Sequence, residues 1–246
     1  MKSRLVFCVP AHGRFEMTEA CLHGLAATCE DLDDYGIAAT AFVVADDRNL
    51  EVAERLGFGT VRRENRPLGR KFNDAIQAAS RVGADYVVPC GTDDLVCAST
   101  IAALLPGPDE VRACTRSAVV NETGTRIAPL HIKYPGGDGV RVIPMPLLEP
   151  LGFRPADEDK PRAIDTSIHT RIKARTGSEV RFVYHDEHPF QIVDFKTSGV
   201  QLNPYEPCLS HLDGEELDRP FEVLADYYRP DVLERVAAVY GVAVPA

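Results

Sequence analysis

The chain has 246 residues, 45% hydrophobic and 26% charged, with 37 acidic against 27 basic side chains and a net charge of −10. Such a composition belongs to a globular protein, and the length suits one large domain or a domain with a small appendage. The acidic balance is opposite to that of proteins that grip phosphate backbones, so general nucleic-acid binding is disfavoured. A chain of this size buries roughly 70–75% of the surface that its unfolded form exposes, and needs neither disulfides nor a structural metal. Its seven cysteines include no C-x-x-C pair, which excludes a zinc knuckle and a thioredoxin-like motif. Several lie in apolar runs such as Val6-Phe7-Cys8-Val9, as expected of reduced thiols in a cytoplasmic protein. After Met1-Lys2-Ser3-Arg4 only five apolar residues precede Pro10, too few for a signal-peptide core. No run approaches the about 18 apolar residues of a membrane-spanning helix.

In chain order, residues 5–9 form a continuous apolar run, the pattern of a buried parallel strand. A helix is expected over 15–29, with Met17, Cys21 and Leu25 on one face. Residues 39–45 form a second buried strand. Asn49 can cap a short helix with Leu50, Ala53 and Leu56 inward and Gly57 at its end. A short strand over 60–63 precedes the most regular helix, whose stripe is Phe72, Ala75, Ile76, Ala79 and Val82, stopped by Gly83. Residues 85–90 read as a third buried strand, and Ser99 as the cap of a helix closed by Pro106. Strands alternating with helices through short links imply a mostly parallel sheet covered on both faces. Beyond residue 110 the pattern becomes mixed. Strands over 111–120 and 125–132 are joined at Asn121-Glu122-Thr123-Gly124, a hairpin signal. The glycine-rich stretch 134–139 has the composition of a lid. Ile164, Ile168 and Ile172 mark a helix ended by Gly177, strands follow over 179–184 and 190–195, and a helical tail from 215 is interrupted at Pro220 and Pro230.

In a parallel sheet, ligands bind beyond the carboxyl ends of the strands. Those ends carry Pro10-Ala11-His12-Gly13-Arg14, Asp46-Asp47-Arg48-Asn49, Asn65 through Asn73, and Gly91-Thr92-Asp93-Asp94. Asp93 and Asp94 suit a hard cation such as Mg2+ or Mn2+, and equally suit a turn. Asp46 and Asp47 have the same alternative, as a helix cap. Arg70 and Lys71 open a helix, where the dipole and free N–H groups favour anions, or they form a solvated basic face.

Taken together, these pieces resemble the inverting family 2 glycosyltransferases, which have the GT-A nucleotide-sugar fold. The matching elements are Pro10 to Arg14 for a strand ending in Pro-x-x-x-Arg, Asp46-Asp47-Arg48-Asn49 for an Asp-Asp-Gly-Ser-like end, Gly69 to Asn73 for a Gly-x-x-x-Asn helix start, and 86–94 for a strand ending in an Asp-x-Asp-like metal motif. The resemblance covers residues 4–105 well and the rest loosely. Two departures stand out: Gly91 occupies the place of the motif's first Asp, and Arg48-Asn49 replace Gly-Ser.

The resemblance implies an α/β fold of GT-A, Rossmann-like type, with a mostly parallel central sheet flanked by helices and a mixed second half. It implies a nucleotide-sugar-binding half over 1–106, an acceptor and catalytic half over 107–214 and a helical tail over 215–246. The implied reaction is transfer of a sugar from a nucleotide-diphosphate sugar to an acceptor hydroxyl, inverting and assisted by Mn2+ or Mg2+. The acceptor class is open: a glycan, a small molecule, a protein or a modified nucleotide. Pro10, Ala11, Arg14, Asp46, Asp47, Gly69, Arg70, Asn73 and Asp93 would surround the donor. Asp94 would ligate the metal, joined by a late histidine, His188, although His185 and His188 equally suit a loop. Asp165, ahead of a helix that carries Arg171, would be the general base, or a plain helix cap; the run 157–159 is the other acidic stretch. A dinucleotide-binding enzyme would need G-x-G-x-x-G after the first strand, and no G-x-x-x-x-G-K-[ST] loop is present. The runner-up readings are a sugar nucleotidyltransferase, which usually opens with a Gly-rich loop where this chain has the single Gly13, and a non-catalytic nucleotide-sugar or glycan-binding module, for which the Gly91 departure speaks.

Overall fold

The computed structural model of the protein describes residues 2–131, 140–160, 164–178, 180–183, 189–197 and 204–244. Strand β1 (Ser3–Pro10) leads into helix α1 (Phe15–Leu32), β2 (Ile37–Ala45), α2 (Asn49–Arg55), β3 (Gly59–Arg62), α3 (Leu68–Arg81) and β4 (Tyr86–Pro89). Alternate residues of β1 serve two cores. Leu5, Phe7 and Val9 pack with Leu22 and Leu25 of α1, and Val6 and Cys8 pack with Phe72 and Ile76 of α3. Burial on both faces is why the strand reads as an unbroken apolar run. Phe72, Ala75, Ile76 and Ala79 of α3 are all buried, whereas Val82 lies past the last helical turn and is 47% exposed.

The chain continues through β5 (Asp94–Val96), α4 (Ala98–Leu104), β6 (Val111–Cys114), β7 (Arg116–Val120), β8 (Arg126–His131), β9 (Arg141–Pro144), α5 (Ile164–Thr176), β10 (Val180–Val183), β11 (Ile192–Phe195), α6 (Tyr205–Cys208), β12 (Leu217–Asp218), α7 (Pro220–Leu224) and α8 (Pro230–Tyr240). A seven-stranded sheet runs β10-β6-β9-β4-β1-β2-β3, and a five-stranded sheet runs β12-β8-β7-β11-β5. The larger sheet is mostly parallel; β9 alone among the described strands runs antiparallel to its neighbours β4 and β6. Beneath the smaller sheet, Val193 and Phe195 pack with Met17 and Cys21 of α1, Phe221 of α7 and Val236 of α8.

Several expectations need correction. The run 111–120 is not one strand: it breaks at Thr115, and its halves belong to different sheets. β9 was not foreseen, because its four residues follow directly on the glycine-rich stretch. Asp94 opens a strand rather than ending a turn. α4 begins at Ala98, so Ser99 lies inside its first turn and caps nothing. Asn49 opens α2 but is not its cap: Arg48 holds that position, and the Asp47 carboxylate before it accepts the Asn49 N–H at 3.0 Å. Pro220 and Pro230 start helices α7 and α8 rather than interrupting one, in keeping with proline's tolerance at the first helical position. The stretch 134–139, His185 and His188 lie outside the described residues.

Candidate functional site

β1 lies between β4 and β2, and the chain leaves it in opposite directions on its two sides. In a doubly wound sheet this is the switch point, where a crevice opens beyond the carboxyl ends of the strands. Three groups of side chains meet there.

The first is a carboxylate cluster. Asp93 ends the turn after β4, Asp94 opens β5, and Asp194 comes from β11, directly opposite Asp94 in the antiparallel β5–β11 pair. One ligand oxygen from each lies within 4.8 Å of the others. Like charges facing each other across strands are destabilising, and two cations offset them. Arg14 forms an ion pair with Asp93 and donates from Nη2 to Thr92 Oγ1 at 3.0 Å. Lys196, whose side chain is 4% exposed, forms an ion pair with Asp194. Two cations against three carboxylates leave one anion in excess. Burial, then the Asp194 and Asp93 carboxylates, push Asp94 well above the usual carboxylate range. Burial disfavours the charge on Lys196, but Asp194 outweighs it and holds the ammonium above its ordinary value.

Gly91 shapes this cluster. Its N–H donates to Asp94 Oδ2 at 2.7 Å, and a Cβ there would lie 2.6 Å from the same oxygen. Arg14 has φ 42° and ψ 44°, a left-handed conformation uncommon for a side-chain-bearing residue. It forms the turn from β1 into α1 that brings its guanidinium to Asp93.

The second group lies over β1 and β2. Asp47 accepts from Gly13 N–H at 3.1 Å and from Asn49 N–H, which occupies both its oxygens. Asp46 is exposed, with His12 Nδ1 at 3.4 Å from its Oδ1. Lys71 is 1% exposed and donates to the Ala11 carbonyl at 2.6 Å and to Asn65 Oδ1 at 3.3 Å. Burial lowers its pKa, and Asp46 and Asp47 oppose that shift. Pro10 closes β1, and the buried Ala11 donates its N–H to the Val44 carbonyl.

The third group is set by α3 and α5. Asp165 lies in the first turn of α5, its Oδ1 2.7 Å from Nη1 of the buried Arg141, the first residue of β9. Asp165 is inside the helix, not at its cap. Arg70 is exposed and faces Asp159 at 3.5 Å. Gly69 and Asn73 do not face the crevice openly: both contact the backbone of residues 156–160. Sequence reasoning missed Asp194, Lys196, Arg141 and the roles of His12 and Lys71. The signal for the first two was Ile192-Val193-Asp194-Phe195-Lys196, in which charges two residues apart interrupt an apolar strand.

Comparison with solved structures identifies the fold. The chain resembles S. aureus TarS 1-349 with a TM-score of 0.55 and 15% identity, over 79% of this chain and 60% of that one. It resembles the UDP complex of the same protein with a TM-score of 0.53 and 14% identity, over 80% and 61%. The mannosyltransferase PcManGT of Pyrobaculum calidifontis, in complex with GDP-Man and Mn2+, matches with a TM-score of 0.51 and 14% identity, over 97% of this chain and 70% of that one. The fold is of the GT-A, Rossmann-like type, as the resemblance implied. This chain spans about 60% of the length of TarS 1-349. No family model matches the chain, and no curated protein does. No described helix is long and apolar enough to cross a membrane.

Proposed function

We propose that the protein is a glycosyltransferase that moves a sugar from a nucleotide-diphosphate sugar to an acceptor hydroxyl, with inversion at the anomeric carbon. The observation that carries this reading is the convergence of Asp93, Asp94 and Asp194 at the switch-point crevice of a GT-A fold. Oxygen donors so close together fit a hard divalent cation. Asp93, Asp94 and Asp194 would hold Mn2+ or Mg2+, which supplies charge neutralisation for a departing diphosphate. Binding of Mn2+ with GDP-Man by PcManGT, and of UDP by TarS, supports the same donor class here.

Ala11, Asp46 and His12 would border the nucleoside, with Pro10 and Asp47 fixing the loops around it. Arg70 and Arg14 would face the diphosphate. Asp165 is the general base in this reading. Its Oδ1 is engaged by Arg141, and Oδ2 is the oxygen for the acceptor hydroxyl. As the acceptor oxygen bonds to the anomeric carbon, its proton passes to Asp165. The bond from that carbon to the diphosphate oxygen breaks, and the electron pair leaves with the nucleoside diphosphate. A single displacement of this kind inverts the centre. The division into a donor half over 1–106, an acceptor half over 107–214 and a helical tail belongs to the same proposal. None of the seven cysteines forms a disulfide, which favours a reducing compartment such as the cytoplasm.

One observation favours a second reading. Arg14 and Lys196 already neutralise two of the three carboxylates, as suits a module that binds a nucleotide sugar without turning it over. The discriminating experiment is hydrolysis of GDP-mannose and UDP-sugars with Mn2+. A transferase should show slow turnover that Asp165→Asn reduces by at least roughly 10²-fold while nucleotide binding stays near normal. A binding module shows none, and equal turnover in Asp165→Asn removes Asp165 as the base.

A further inference from the structure

Between the donor-side helix α3 and the helix of Asp165 runs a strap, residues 156–160. It is held from both sides. Asn73 of α3 is fully buried and uses both ends of its amide on one residue: Nδ2 donates to the Ala156 carbonyl at 3.0 Å, and Oδ1 accepts the Ala156 N–H at 2.9 Å. Arg171 of α5 donates from Nη1 to the same carbonyl at 3.2 Å. Ser167 of α5 accepts the Asp157 N–H on its Oγ at 2.7 Å, and the Gly69 N–H of α3 donates to the Lys160 carbonyl at 3.2 Å. α3 and the strap approach so closely at Gly69 that a Cβ would lie 1.9 Å from the Asp157 carbonyl oxygen. The glycine and asparagine of the Gly-x-x-x-Asn helix start are thus spent on the strap, and the arginine after Asp165 meets them there.

We propose that Asn73 and Arg171, converging on the carbonyl of Ala156, are positioning residues that set the Asp165 carboxylate against the donor bound along α3. The inference rests on Asp165 being the base. A carbonyl oxygen has two lone pairs, and here one goes to each helix. Loss of either bond frees α5 to shift relative to α3, and a displacement of about 1 Å at a reacting group costs on the order of 10²-fold in rate. Asp165 and Arg171 need not touch: both are fixed in α5, so the clamp at the second turn sets the position of the first.

The test uses the full chain with Mn2+ and hydrolysis of GDP-mannose and UDP-galactose, comparing Arg171→Met, Arg171→Lys and Asp165→Asn. Arg171 is exposed, so its variants should fold; Asn73→Ala, at a buried site, is the second probe. The expected result for Arg171→Met is a roughly 10- to 100-fold fall in kcat with the affinity for the nucleoside diphosphate within about twofold of wild type. Arg171→Lys, which can still reach the carbonyl, should recover most of the loss. Unchanged kcat in Arg171→Met, measured well below its Tm, overturns the inference even if Tm falls, because the clamp is then only structural. Parallel losses of kcat and nucleotide affinity also overturn it. If wild type turns over no nucleotide sugar, or Asp165→Asn turns over as fast as wild type, the underlying reading fails and the inference falls with it.

Discussion

At Gly91 a methyl group would lie 2.6 Å from Asp94 Oδ2 and 3.0 Å from Asp93 Oδ1. Compared with an Asp-x-Asp pattern, Gly91 is a missing ligand. In three dimensions it is the space that the Asp94 carboxylate fills, and the third oxygen donor arrives from Asp194 instead. The cluster has a consequence for stability. Burial and the carboxylates of Asp194 and Asp93 raise Asp94 above its ordinary value of 3.8. A raised value means that folding favours the protonated acid. The stabilising contribution is complete below the unfolded value and is lost as the pH rises through the folded one. In metal-free protein Asp94→Asn, which mimics the protonated side chain, should therefore raise Tm at about pH 8, by about 2–4 °C for each kcal/mol relieved in a domain of this size. The gain should shrink towards about pH 4. Thermal denaturation across that range checks the sign, and a Tm gain that grows on acidification contradicts the assignment.

Among the elements, those that pack locally were legible. α3 announces itself by Phe72, Ala75, Ile76 and Ala79, which recur at helical spacing and are all buried. Phe72 fills the core between α3 and the larger sheet, so Phe72→Ala should cost about 3–5 kcal/mol. Chemical denaturation with an unchanged m-value checks this, and a loss under about 1 kcal/mol contradicts the packing. Elements defined by distant partners were not legible. Residues 111–120 read as one run of strand-forming residues, Val111-Arg112-Ala113-Cys114-Thr115-Arg116-Ser117-Ala118-Val119-Val120, and no glycine or proline marks Thr115 as the point where the chain passes from one sheet to the other. The same limit applies to the site. Arg14, Asp46, Asp47, Asp93 and Asp94 could be found because each directly follows a recognisable strand. Asp194 could not, because its place opposite Asp94 depends on the register of β11 against β5. Gly69 and Asn73 stand out by their spacing, which suggested a ligand, but their contacts with the strap at 156–160 could not be read from it.

Across the whole molecule, the larger sheet supplies the crevice and the smaller sheet completes it. β1, β2 and β4 bring the loops that follow them and Asp93 to one edge, and β11 returns from the far half of the sequence to add Asp194 and Lys196. The central claim is that this edge binds a nucleoside diphosphate through a cation shared by carboxylates from both sheets. Calorimetric titration of UDP and GDP into wild type and Asp194→Asn, each with Mn2+ and with chelator, tests it most directly. The account predicts that Mn2+ strengthens wild-type binding of at least one of these nucleotides by roughly tenfold or more, as expected when differential affinity is worth at least about 1.4 kcal/mol, and that Asp194→Asn loses this gain while keeping the chelator-state affinity. Affinity independent of Mn2+ in wild type, or the full Mn2+ gain in Asp194→Asn, would contradict it.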